Sequence, residues 1–211
     1  MRVIDLSWAL DNGTQPFPGD SPPRLERVVE SGFRSTAVAI SSHSGTHIDA
    51  PAHILPEGAY LDELPCESFF GLAVIADVSA LAGGEIKAER LGLSEKEISQ
   101  ADFLLLHSGW DEKMGKKEYL AGFPVLSQET ARLLAGLRLK GIGIDAISFD
   151  PVESAECPIH KILLGAGTLL IENLRGLRRL PFKKPFCLAA LPLSIKKSDA
   201  APARVTAVLE K

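Results

Sequence analysis

The sequence predicts a mixed α/β or α+β domain. Three observations carry that expectation. Short runs rich in β-branched and apolar residues recur along the chain, bounded by Gly, Pro, Asn, Asp or Ser. Few stretches have helical periodicity, and Ser127 to Leu137 is the clearest. No repeat, low-complexity segment or linker divides residues 1–211, so one domain is expected.

Val3 to Ser7 reads as a short strand. Residues 11–23 form a loop stiffened by four prolines and two glycines, which can hold Phe17 in a fixed place, as a core plug or as a platform for substrate. Arg24 to Glu30 is expected as a strand. Residues 34–42, Arg-Ser-Thr-Ala-Val-Ala-Ile-Ser-Ser, alternate apolar with polar and predict another strand, one that can continue through residue 49 to Pro51. Residues 54–65 read as loop. Leu72 to Val78 predicts a buried strand, Leu91 to Gln100 a short helix begun by a capping pattern at Ser94, and Ala101 to Leu106 a second buried strand. That strand ends in His107-Ser108-Gly109-Trp110, a place where α/β folds often put ligand contacts. His107 reads equally well there as a satisfied histidine at a strand end. Ser127 caps the clearest helix, whose Leu133, Leu134 and Leu137 share a face. Gly141 to Ala146 predicts a strand, His160 opens one or two helical turns, and Thr168 to Leu174 predicts a strand presenting Glu172. Phe186 to Leu193 and Arg204 to Leu209 complete the set.

Composition narrows the function. Hydrophobic residues are 45% and charged residues 24%, ordinary for a globular protein. A net charge of −4 gives no basic footprint for nucleic acid. No apolar run has transmembrane length, and the N-terminus lacks the apolar core of a secretion signal, so neither membrane nor export is expected. Cys66, Cys157 and Cys187 are odd in number and widely spaced, which suits reduced thiols in the cytoplasm.

The chemistry concentrates in Ser42-His43-Ser44-Gly45-Thr46-His47-Ile48-Asp49-Ala50-Pro51-Ala52-His53. The chain has five histidines, and three of them fall in the eleven positions 43–53 with a carboxylate between the second and third. Histidine and carboxylate are the donors that borderline-hard divalent metals choose. On a continuous strand, a period of two puts His43, His47 and Asp49 on one face. Glu172 is costly to bury without a partner or a metal, yet a Glu at a strand end is also ordinary on a solvated surface. Cys157 with His160 makes a C-x-x-H pair, with no second pair to complete a structural zinc site.

The string His43-Ser44-Gly45-Thr46-His47-Ile48-Asp49-Ala50-Pro51-Ala52-His53 resembles the H-x-G-T-H-x-D-x-P-x-H signature of the cyclase family, which contains bacterial kynurenine formamidase and isatin hydrolase. Asp5-Leu6-Ser7, Pro16-Phe17-Pro18-Gly19-Asp20, Ser108-Gly109-Trp110, Glu172-Asn173-Leu174 and Asp199-Ala200-Ala201-Pro202-Ala203-Arg204 extend the likeness over nearly the whole chain. The resemblance implies a swivelling β/β/α fold, a homodimer or higher homo-oligomer, and two divalent ions, Zn²⁺ or Mn²⁺. It implies that His43, His47 and Asp49 hold one ion, that His160 holds the other, and that Asp49 and Glu172 are shared. It implies that His53 moves protons while a C–N bond of an aryl formamide or cyclic amide is hydrolysed. Phe17, His107 and Trp110 are then expected near the substrate. Phe17 departs from the Trp that kynurenine formamidases carry, and His107 from a longer basic residue, so the small-molecule substrate stays open. Two rival readings are a mononuclear iron oxygenase using His47, Asp49 and His160, and a metal-binding protein without catalysis. The oxygenase reading leaves His43 and Glu172 without a role.

Overall fold

The computed structural model describes residues 1–182 and 184–210. Strand β1 (Arg2–Asp5) is followed by β2 (Arg24–Glu30), β3 (Phe33–Ala39), β4 (His47–Asp49), β5 (Phe70–Asp77) and β6 (Glu85–Ile86). Helix α1 (Glu95–Ser99) precedes β7 (Phe103–His107) and β8 (Val125–Leu126). Helix α2 (Gln128–Gly136) leads into β9 (Gly141–Ile144). Helix α3 (Pro158–Gly165) leads into β10 (Leu169–Glu172), and β11 (Phe186–Pro192) and β12 (Ala200–Leu209) follow.

Among the described residues, eight strands form one mixed sheet in the order β1-β12-β11-β5-β7-β9-β10-β4. A further pairing of β12 with β4 closes that sheet into a barrel. Strands β5, β7, β9 and β10 run parallel, and β4 is antiparallel to both of its neighbours. The result is a mixed α/β fold built on a β-barrel, as the sequence leads one to expect.

Alternation along the strands sorts the core into two layers. Phe103 and Leu105 of β7 point into the barrel with Ile48, Ile171, Leu188 and Val205. Leu104 and Leu106 point outward with Ile142, Ile144 and Leu170, against Ala131 and Leu134 of α2 and Leu163 and Leu164 of α3. Strands covered on both faces carry near-continuous apolar runs, which is why β5 and β7 are plain in the sequence. The barrel is narrow at β9. A Cβ on Gly143 would lie 2.7 Å from the side chains of Leu105 and Leu174, so any side chain there would force both leucines to shift.

The predicted strand from residue 34 to 49 is not continuous. It ends at Ala39, where β3 pairs, among the described residues, only with β2 in a separate hairpin, and β4 begins at His47. Gly45 sets the last bend before β4. Its φ of +63° lies in the left-handed region, and a Cβ there would meet the Leu10 side chain at 2.5 Å. His43 therefore reaches the site from a turn, with the Ser44 N–H donating to the Ser41 carbonyl at 3.1 Å, rather than from the strand that holds His47 and Asp49. Strand β12 starts earlier than expected, at Ala200. It includes Pro202, tolerated where the chain changes partner from β4 to β1.

Candidate metal centre

Two short strands set the floor of the site. In the antiparallel pair of β4 with β10, His47 stands opposite Glu172 and Asp49 opposite Leu170. Directly opposed residues share a face. Leu170 belongs to the outer layer, so His47, Asp49 and Glu172 also face outward, toward α3. The helix supplies His160, buried among Ile159, Leu163 and Leu164. A turn supplies His43, and the short helical turn Pro51–His53 supplies His53.

The donors converge. His47 Nε2 lies 3.3 Å from Asp49 Oδ1 and 3.4 Å from Glu172 Oε2. His160 Nε2 lies 3.3 Å from Glu172 Oε1 and 3.8 Å from Asp49 Oδ2. His43 Nδ1 lies 3.0 Å from Asp49 Oδ1. Among the described residues, ligand atoms of His43, Asp49 and His53, and of His47, Asp49 and Glu172, form two groups, each within 4.8 Å. The two groups share Asp49.

The rings are oriented from behind. His47 Nδ1–H donates to the Gly45 carbonyl at 2.8 Å, which leaves the lone pair on Nε2. His160 Nδ1–H donates to Asp150 Oδ2 at 2.7 Å, again leaving Nε2 toward the carboxylates. Asp150 also accepts the Ile159 and His160 backbone N–H groups, so one carboxylate caps α3 and fixes the ring it carries. Asp199 Oδ2 faces His43 Nε2 at 2.9 Å and His53 Nδ1 at 3.0 Å. Backing of this kind is the usual arrangement behind metal-binding histidines.

The arrangement fits divalent metal. His47 Nε2 and both Asp49 oxygens are fully enclosed, yet none makes an aligned hydrogen bond among the described residues, although His43 Nδ1 approaches Asp49. Enclosed polar atoms without partners are costly, and a cation satisfies all three. The electrostatics agree. Burial opposes charge on both His43 and His160, but the hydrogen bond to Asp199 and the charge of Asp49 raise His43 to about 9, and the Asp150 and Glu172 carboxylates raise His160 to about 10. Burial likewise works against the Asp49 carboxylate, and the nearby charges of His47 and His43 still hold its pKa well below the ordinary value. The carboxylates thus draw positive charge into a buried space.

These side chains line a cavity of about 170 Å³, which Phe17, Asp20, His53, Ser148, Cys157 and Asn173 also border. Phe17 thus stands at the cavity wall. His107 and Trp110 are not among the residues that line this cavity. His107 Nδ1–H donates to Asp145 Oδ2 at 3.0 Å, and its ring packs against Phe182. Asp145 also accepts from the Ser108 N–H, the Ser108 hydroxyl and the Gly109 N–H, so the polar space past β7 is filled by the chain itself. Trp110 is buried in the outer core, and its Nε1–H donates to the Tyr119 carbonyl at 3.1 Å. Sequence reasoning gave no role to Asp150, Asp199 or Asn173. Asp199 and Asn173 lie in segments quoted for the resemblance, whereas Asp150 becomes visible only through its hydrogen bonds.

Comparison with known proteins agrees with this geometry. Residues 4–151 match the Cyclase family. The kynurenine formamidase of Salinibacter ruber is 32% identical over 209 residues, covering 97% of this chain and 96% of that protein. Isatin hydrolase A from Labrenzia aggregata, solved bound to benzyl benzoate, superposes with a TM-score of 0.85 at 27% identity, over 100% of this chain and 94% of that one. A structure described as a potential metal-dependent hydrolase with cyclase activity superposes with a TM-score of 0.80 at 26% identity, over 98% and 96% of the two chains.

Proposed function

This chain belongs to the cyclase family, and we propose on that footing that it is a metal-dependent hydrolase of C–N bonds, acting on an aryl formamide or a cyclic amide. The observation that carries the reading is the enclosed, unpaired set of His47 Nε2 and the two Asp49 oxygens, at the centre of five converging donors.

The ligand set is His43, His47 and Asp49 for one divalent ion and His160 for the second, with Asp49 and Glu172 shared. Zn²⁺ or Mn²⁺ suits a mixed imidazole and carboxylate set. When bound, such ions polarise a carbonyl and lower the pKa of water from about 15.7 to roughly 7. The remaining work falls to the chain. His53 is only partly buried, and its Nδ1 is held by Asp199, which leaves Nε2 for proton transfer. Hydrogen bonds from His43 and His53 keep Asp199 ionised, with a pKa far below the ordinary carboxylate value, so it acts as a fixed anchor for both rings. His53 takes a proton from the attacking water and delivers it to the leaving nitrogen. Phe17 offers an aromatic wall for a planar substrate.

The chain acts as one domain over residues 1–211, as a homodimer or higher homo-oligomer in the cytoplasm. Exposed Val29, Phe33 and Val38 on the β2–β3 hairpin support association. Three unpaired cysteines support a reducing compartment. An iron oxygenase is not favoured, because His43 and Glu172 converge with the His47, Asp49 and His160 triad. Assaying N-formylkynurenine, isatin and simple lactones with added zinc or manganese tests the reading. Turnover of an amide supports it. Tight metal binding without turnover of any of them makes the chain a metal-binding protein instead.

A further inference from the structure

Asn173 follows Glu172 at the end of β10. Its backbone is left-handed, with φ of +56°. Successive residues of a strand face opposite ways, but this turn brings Asn173 to the same cavity as Glu172. The chain holds the conformation at three points. The Asn173 N–H donates to the Ala146 carbonyl at 2.9 Å, its carbonyl accepts from Thr46 Oγ1 at 2.6 Å, and its side-chain Oδ1 accepts from the Tyr119 hydroxyl at 2.7 Å. Left-handed residues other than glycine persist where the surroundings over-determine them, and such places cluster at functional sites.

Tyr119 fixes which way the amide points. Its ring is fully buried, and burial together with the charges of Asp145, Glu172 and Asp111 keeps its hydroxyl protonated, so it is available to donate. With Oδ1 occupied, the amide presents Nδ2. Nδ2 makes no hydrogen bond among the described residues, and it is not among the enclosed unpaired atoms. It is therefore not fully enclosed, and Asn173 borders the cavity. Asp20, Asp49 and Glu172 border the same space and are acceptors when ionised, so Nδ2 is a preset donor among acceptors.

We infer that Asn173 is a catalytic residue, donating a hydrogen bond from Nδ2 to the carbonyl oxygen of the substrate. The inference rests on the hydrolase reading. In that reaction the oxygen of water bonds to the carbonyl carbon, the C–N bond breaks, and a proton of the water passes through His53 to the departing nitrogen. The products are a carboxylic acid and an amine. Charge gathers on the carbonyl oxygen as the water adds, and a donor already aimed there needs no reorganisation.

The test uses the metal-loaded full chain and formanilide. Asn173→Gly keeps the left-handed backbone and removes the donor. Asn173→Asp keeps the acceptor for Tyr119 and also removes the donor. Both variants are expected to keep wild-type metal content and lose about 10²–10³ in kcat, the usual loss for one such donor, with KM little changed. Tyr119→Phe frees the amide to turn and is expected to lose less than either. A kcat within about threefold of wild type in Asn173→Gly, or recovery of the rate in Asn173→Asp, overturns the inference. A second readout needs no turnover. In ¹⁵N-labelled protein, the Asn173 side-chain NH₂ pair is expected to shift on adding formate, and to shift less in Tyr119→Phe. If the wild type hydrolyses no amide, the hydrolase reading fails and this readout decides alone. A shift supports the donor, and no shift overturns it.

Discussion

His47 and Glu172 face each other across two antiparallel strands, with His47 Nε2 3.4 Å from Glu172 Oε2. Asp49, two residues along β4, projects from the same face. It is the residue common to both donor groups. Asp49→Asn should therefore lose metal and activity together, because an amide cannot give a shared negative charge to two cations. Metal analysis and a rate on the same sample check this. Normal metal content with near-normal turnover shows that Asp49 is not a ligand.

His53→Ala should separate binding from chemistry. His53 is anchored to Asp199 rather than enclosed among the carboxylates. The variant should keep its metal and lose roughly 10²–10⁴ in kcat, the worth of a general acid–base. His53 also stands with His43 and Asp49 in one donor group. Loss of an ion in this variant reassigns it as a ligand.

Stability should carry a pH dependence from His107. Burial disfavours its charged form, but the hydrogen bond and charge of Asp145, with the charges of Asp77 and Asp111, raise its pKa above 6.5. A pKa higher in the folded chain gives stability that is complete below the unfolded value, near 6.5, and is lost as pH rises through the folded value. The stability gap between wild type and His107→Gln should narrow from pH 6 upward, as measured by urea unfolding in one metal state. A gap that is flat or widens with pH contradicts the assignment.

Phe17→Trp should change selectivity. The ring stands at the cavity wall, and indole is larger and adds an N–H donor. Relative kcat/KM for N-formylkynurenine over smaller amides or lactones should rise about ten- to two-hundred-fold, for a contact of ~1–3 kcal/mol. Unchanged ratios across the panel make Phe17 a plug on a stiff loop.

Much of this was legible in the chain. The signature of residues 43–53 named the donors because three imidazoles and a carboxylate at close spacing have few other uses. The buried strands β5 and β7 announced themselves as apolar runs covered on both faces. The break between Ala39 and His47 was not legible, since alternation continues through Ser41 while the chain already turns there. The partner of His107 was not legible, because the end of β7 looks the same from sequence whether a ligand or Asp145 fills it. Asp150 and Asn173 act through long-range partners, and local pattern does not encode such pairings.

The most direct test is a metal titration of chelator-stripped protein against the hydrolysis rate of an aryl formamide. The rate should be negligible without metal and rise to a plateau at two equivalents of zinc or manganese per chain, because the five ligand side chains proposed are too many for one catalytic ion that keeps an open position. A full rate in the stripped protein, a plateau at one equivalent, or no turnover at any metal concentration contradicts the account.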